Sequence, residues 1–174
     1  MPWLNIEIKA KCKNPGSVRD YLKKNNAEFK GTDHQTDIYF KCNHGRLKLR
    51  TGNIEKALIA YDRNNQAGPK GSSFSLAKLE NTEAVREALT RSLGIKVIVD
   101  KRREIWYLDN VKFHIDEVEG LGSFMEIEAG NLLADLDIEA LKEQCELHMK
   151  ALGIKDEDLL QYSYSDMLME QERG

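Results

Sequence analysis

Cysteine, proline and long apolar runs are all scarce in this chain. Three cysteines occur in 174 residues, Cys12, Cys42 and Cys145, and no two fall at a Cys-x-x-Cys spacing. An odd, scattered set excludes a disulfide framework and a thiolate zinc site, and it points to a reducing, cytoplasmic setting. With three prolines and no low-complexity stretch there is no long linker, so one domain over residues 1–174 is expected. No apolar run approaches the roughly 18 residues of a membrane span. The start, Met1-Pro2-Trp3-Leu4-Asn5, lacks the charged and apolar regions of a signal peptide.

A strong net charge is missing too. Lys and Arg number 26 and Asp and Glu 29, for a formal charge of -3. That total would draw the chain neither to nucleic acid nor to a membrane. The distribution is less even than the total. Residues 1–63 carry a balance of +6, residues 64–103 of +4 and residues 104–174 of -13.

What is present is a regular mixture, 41% apolar and 32% charged, enough to build a core. Leu4, Ile6, Ile8 and Ala10 alternate with Asn5, Glu7, Lys9 and Lys11, which predicts a strand with two unlike faces. Further strands are expected at 35–42, 46–50, 56–63, 72–78, 95–107, 111–118 and 122–129, with Asn43-His44-Gly45 as one hairpin turn. Helices are expected from Asn14 or Ser17 to about residue 26, from Thr82 to Leu93, and over 137–152. On the last of these, Ile138, Leu141, Cys145, His148 and Met149 form one stripe, with Cys145 and His148 as core residues. A short acidic helix ends the chain.

About eight strands in hairpin succession with three or four helices describe an α+β fold. Its centre is an eight-stranded antiparallel β-barrel or near-barrel with helices packed outside. Two arrangements satisfy the alternation. Apolar faces could point inward with charges in solvent, or charges could line a wet lumen with apolar faces under the helices. Spacing by itself favours the first.

Two sets of side chains could carry chemistry. The basic set is Lys9 and Lys11, then Arg46, Lys48 and Arg50, then Lys101 and Arg103, each row on one strand face. Like charges about 7 Å apart along a strand suit a polyphosphate, whose oxygens match guanidinium forks. An exposed basic sheet face, or a nucleic-acid face with Tyr39, Tyr61 or Trp106 as stacking platforms, would look the same. The acidic set is Glu126 and Glu128 on one strand side, Asp116 on the preceding strand and Glu7 on the first. Oxygen ligands without His or Cys suit Mg2+ or Mn2+.

The ordered set resembles a known family. Asn5-Ile6-Glu7-Ile8-Lys9 is similar to the Glu-x-Glu-x-Lys signature of the CYTH family, the triphosphate tunnel metalloenzymes. Arg46-Leu47-Lys48-Leu49-Arg50, Lys101-Arg102-Arg103, Phe113-His114-Ile115-Asp116, Glu119-Gly120-Leu121-Gly122 and Glu126-Ile127-Glu128 follow in the family's order, with Ser163-Tyr164 near the end. The resemblance implies an eight-stranded tunnel that binds a small-molecule triphosphate. The family includes triphosphatases and class IV adenylate cyclases. Carried over by position, Lys9, Lys11, Arg46, Lys48, Arg50, Arg63, Lys101 and Arg103 would contact phosphates. Glu7, Asp116, Glu126 and Glu128 would hold Mg2+ or Mn2+, and Glu7, Lys9, Lys101 and Arg103 would serve catalysis. A nucleic-acid partner is not expected, and a homodimer is compatible with the family. The sequence departs from the signature at one place, where Asn5 stands for the first glutamate.

Overall fold

A computed structural model describes residues 3–63, 68, 70–132 and 134–173. Among them are eight strands: β1 (Trp3–Lys11), β2 (Glu28–Phe40), β3 (Arg46–Thr51), β4 (Lys56–Arg63), β5 (Lys70–Lys78), β6 (Ile95–Leu108), β7 (Val111–Val118) and β8 (Gly122–Gly130). Four α-helices accompany them: α1 (Pro15–Lys24), α2 (Glu83–Leu93), α3 (Ile138–Ala151) and α4 (Tyr164–Arg173). The strands form a closed antiparallel ring in the order β1-β5-β4-β3-β2-β6-β7-β8. It shuts where β8 pairs with β1, from Asn5 opposite Gly130 to Lys11 opposite Phe124. Closure removes every sheet edge, so the ladder hydrogen bonds are satisfied around the ring.

The period-2 alternation decides what points where, and the outcome reverses the arrangement that spacing favours. Ile6, Ile8 and Ala10 of β1 join Val111, Phe113 and Ile115 of β7 and Met125, Ile127 and Ala129 of β8 in a core outside the ring. Val18 and Leu22 of α1 and Leu141 and Cys145 of α3 cover that core. Each fully buried Ile, Leu or Phe side chain contributes about 1.5–3 kcal/mol, so the apolar face goes under the helices. Asn5, Glu7 and Lys9, the alternate positions, are left to face the lumen. A smaller outer core joins Ile38, Phe40 and Leu49 to Val85 and Leu89 of α2. Inside the ring, Val99, Val118 and Phe124 meet Tyr164 of α4, which makes one end apolar.

Local details differ from the pattern at three places, at β2, Thr82 and Ile138, and the open choice of α1 cap falls to Asn14. β2 starts at Glu28 rather than 35, because it pairs with β6 along nearly its whole length. The extension is interrupted by a register shift between Phe29 and Gly31, and the Phe29 ring packs tilted on Trp106 with centroids 4.7 Å apart. The α1 cap is Asn14, whose Oδ1 accepts the Ser17 backbone N–H at 3.2 Å. Thr82 makes no side-chain cap bond; Asn81 Oδ1 accepts from the Glu83 N–H at 3.1 Å instead. Ile138 is 46% exposed, while Leu141, Cys145 and His148 are buried as the helical stripe requires. No helix among the described residues is long and apolar enough to cross a membrane.

Candidate active site

The ring encloses a cavity of about 670 Å3, well within the range of small-molecule sites. Its walls are unlike one another. Ile59, Tyr61, Phe74 and Leu76 make an apolar stretch on β4 and β5, which also bring Lys56 and Lys78, whereas the charges of β1, β2, β3, β6, β7 and β8 fill the rest.

The cationic half is organised around one carboxylate, that of Asp37. Arg50 faces Asp37 on the β2–β3 ladder and donates to both its oxygens, Nε to Oδ1 at 2.9 Å and Nη2 to Oδ2 at 2.8 Å. Lys101 Nζ donates to Oδ2 at 2.8 Å, and Lys48 Nζ lies 3.5 Å from it. Burial alone would raise the Asp37 carboxyl, but these three cations hold it well below the usual carboxylate range. Burial pushes Lys101 down to about 7 against the upward pull of Asp37. Lys48 also lies over the rings of Tyr39 and Tyr61, at 5.6 and 5.4 Å.

A turn supports this half from outside. The buried Asp33 carboxylate accepts the backbone N–H groups of Asn53, Ile54 and Glu55 at 2.6, 2.9 and 2.9 Å. A Cβ on Gly52 would meet Asp33 Oδ1 at 2.5 Å, so this close approach needs glycine. The turn delivers Glu55 to Arg50 at 3.1 Å and to Lys112 at 2.8 Å.

The acidic half lies on β1, β7 and β8. Glu126 faces Lys9 on one ladder and His114 on the other, and Glu128 faces Glu7 and Lys112. Arg103 donates to Asp116 at 2.8 and 2.7 Å and reaches Glu126 Oε1 at 3.2 Å. Lys9 Nζ lies 3.8 Å from Glu126 Oε1 and 3.9 Å over the Tyr164 ring. Burial would raise Glu126, but Arg103 and Lys9 hold it well below the ordinary range. Glu128 is raised, by burial first and then by the nearby Glu7 and Glu126 charges, despite Lys112. His114 is pushed down to about 4 by burial and by Arg103, so its imidazole is neutral near pH 7.

One group has the make-up of a metal site. Ligand atoms of His114, Glu126 and Glu128 all lie within 4.8 Å of one another. Both His114 ring nitrogens and Asn5 Oδ1 are buried with no hydrogen-bond partner. Carboxylates converging on orphaned neutral donors fit a divalent cation, since buried polar atoms are otherwise paired.

The structure therefore brings together most of the residues expected from sequence. Glu7, Lys9, Lys48, Arg50, Lys101, Arg103, Glu126 and Glu128 line one cavity. Three expected residues lie elsewhere. Lys11 sits opposite Phe124 at the apolar end and is exposed. Arg46 is held by Ser163 Oγ at 2.8 Å and Asp166 Oδ2 at 3.1 Å, outside that lining. Asp116 does not join the His114 cluster, because Arg103 takes both its oxygens and the Tyr164 hydroxyl donates to Oδ2 at 2.8 Å. The Arg63 side chain lies outside the described residues.

Sequence reading missed Asp37, Glu55, Lys112 and His114. The signal for two strands was present: Gln35-x-Asp37-x-Tyr39 and Lys112-x-His114-x-Asp116 alternate polar groups on one face. Glu55 sits in a turn, where no periodicity reports direction. His114 also places a ring nitrogen beside the carboxylates, where the sequence leads one to expect oxygen ligands alone.

Comparison with known proteins agrees with the fold. A relative named as a putative adenylate cyclase, from Methanocaldococcus jannaschii, is 29% identical over 177 residues, covering 94% of this chain and 98% of its own. A solved structure, a conserved hypothetical protein from Pyrococcus furiosus, has a TM-score of 0.76 at 25% identity, covering 93% of this chain and 98% of its own. Another, a putative adenylyl cyclase from Hippeastrum described with a dominant triphosphatase activity, has a TM-score of 0.60 at 15% identity, covering 97% and 96%; it shows the shared fold alone. The sequence matches the CYTH domain over residues 4–164, which takes in the eight strands but for Trp3 and reaches the first residue of α4. The chain belongs to the CYTH domain family.

Proposed function

We propose that the protein is a divalent-metal-dependent hydrolase of a small-molecule triphosphate. The observation that carries this reading is the juxtaposition, inside one ring, of the Lys48, Arg50, Lys101 and Arg103 cations with the His114, Glu126 and Glu128 cluster. A triphosphate needs both. Its oxygens need cations in an enclosed site, and its reacting phosphoryl group needs charge neutralised as the bond breaks.

The residues divide the work by position. Arg50, Lys48 and Lys101 bind phosphate oxygens by exchanging part of their contact with Asp37 for the substrate. Arg103 stays fixed by Asp116, so its position is set before substrate arrives. Glu126 and Glu128 would hold Mg2+ or Mn2+, which when bound would supply Lewis-acid polarisation of the phosphoryl group. Glu7, across the ladder from Glu128, accepts the proton of the attacking water at a carboxylate oxygen. The apolar wall of Ile59, Tyr61, Phe74 and Leu76 receives the organic part of the substrate, which favours an organic triphosphate over inorganic tripolyphosphate.

That same wall supports a second reading, a class IV adenylate cyclase in which the ribose hydroxyl replaces water. The experiment offers purified protein tripolyphosphate, thiamine triphosphate and ATP, with Mg2+ or Mn2+. Orthophosphate release supports the hydrolase. Cyclic AMP with pyrophosphate replaces it by the cyclase, and tight binding with no turnover leaves a triphosphate-binding module.

A further inference from the structure

We infer that His114 is a metal ligand, so that the tunnel holds a mixed nitrogen–oxygen site with Glu126 and Glu128 that takes Mn2+ or a later first-row ion ahead of Mg2+. The inference rests on the metal-dependent reading above and narrows its ion.

Three observations meet at this residue. The His114 side chain is 2% exposed, and neither ring nitrogen has a hydrogen-bond partner. Buried polar atoms are ordinarily paired, so a ring left in this state lacks a partner, which an ion at one nitrogen would supply. Its Nδ1 lies 3.6 Å from Glu126 Oε2. That is too long for a hydrogen bond, and it is the spacing of two atoms that share an ion at about 2.0–2.2 Å from each. Third, the ring is aimed by its strand. His114 faces Glu126 on the β7–β8 ladder, so the ligand pair is set by register and not by a loop.

The neighbouring carboxylate strengthens the assignment. Asp116, two residues along on the same face, is committed to Arg103 and Tyr164. The imidazole is therefore the donor that β7 offers to the cluster. Imidazole suits Fe2+, Ni2+ and Zn2+, with Co2+ among them in the divalent affinity series and Mn2+ at its foot, whereas Mg2+ prefers oxygen and retains its waters. The donor set thus selects among ions by chemistry that an all-carboxylate site lacks.

The test measures ions alone, without substrate. Calorimetric titration of the wild-type chain with Co2+, Mn2+ and Mg2+ is expected to give Co2+ and Mn2+ tighter than Mg2+ by about tenfold or more. In His114→Asn, and in His114→Gln as a second variant, Co2+ affinity should fall by about 10–100-fold, the loss typical of even an outer partner of a metal ligand. Mg2+ affinity should stay within about twofold, since it relies on the carboxylates. Wild-type protein gives an independent readout. Zn2+ should shift one buried imidazole set in the NMR spectrum, and His114→Asn should remove that set. His34 and His44 are exposed and supply a background that the variant leaves in place. The assignment is overturned if the variants lose both ions equally, or if Zn2+ leaves the His114 resonances unmoved. If His114 takes Co2+ and no triphosphate is turned over with any ion, the hydrolase reading falls and the ligand stands. If phosphate is released and His114 is indifferent to ions, the reverse holds.

Discussion

Lys101 Nζ donates to Asp37 Oδ2 at 2.8 Å, with both side chains 1% exposed. A lysine in this position is a titrating group of the folded tunnel. Burial lowers it to about 7, whereas the unfolded side chain titrates near 10.5. Between those values the unfolded chain binds more protons, so this group's contribution to stability is unfavourable below about pH 7 and is relieved as pH rises from there toward about 10.5. A bound triphosphate favours the charged form and restores the proton. Binding should therefore take up a proton at pH 8 and weaken as pH rises. Calorimetry of substrate binding in two buffers of different ionisation enthalpy reads this directly. Uptake that persists unchanged in Lys101→Met would assign it to another group.

Glu126 offers the sharpest test of the acidic half. Its carboxylate faces Lys9, Arg103 and His114 together. Glu126→Gln keeps the size and removes the charge, and Arg103 retains its bidentate pair with Asp116. The melting temperature should move by only a few degrees. The rate of triphosphate turnover should fall by at least about a hundredfold, as for loss of one electrostatic stabiliser. A variant with near wild-type kcat would make Glu126 an ordinary buried partner of Arg103.

Most of the ring was legible because each strand alternates, and alternation fixes both the element and its two faces. What alternation leaves open is which face is inside. That answer comes from packing between distant elements: α1 and α3 cover Ile8 and Phe113, and only then must Lys9 and His114 face the lumen. The basic row was legible as phosphate chemistry. Its internal counter-ion Asp37 was not, because pairing with Lys101 from β6 exists only once β2 and β6 are neighbours. Asp116 shows the converse. Its place beside Glu126 reads as a ligand in sequence, and in the fold its oxygens accept from Arg103 and Tyr164.

The Asp33 turn should carry a measurable cost. A methyl group at Gly52 would overlap the Asp33 carboxylate, which accepts three backbone N–H groups. Gly52→Ala must therefore displace the turn that presents Glu55 to Arg50 and Lys112. Overpacking of this kind costs about 1–3 kcal/mol. Chemical denaturation should show that loss. KM for the triphosphate should rise as well, because Arg50 loses one of its fixed partners. A stability change with unaltered KM would confine the turn to a structural role.

Asn5 is the position at which this chain leaves the family signature, and its geometry says what a carboxylate would do there. The Asn5 side chain hydrogen-bonds to Glu128, while its Oδ1 is buried without a partner. Asn5→Asp adds a charge at nearly constant shape, and Asn5→Glu restores the signature with one more methylene. Either carboxylate would lie near Glu128 and Glu7, so without metal it repels them and the melting temperature should fall. With a divalent ion present the same charge is attractive. Metal affinity should rise by about tenfold, equivalent to about 1.4 kcal/mol, and the lost stability should return as the ion is added. Thermal melts across a Mn2+ series, beside calorimetry on the wild-type chain, separate the two effects. An affinity unchanged in both variants would place residue 5 outside the ion's reach and leave its orphaned oxygen to water.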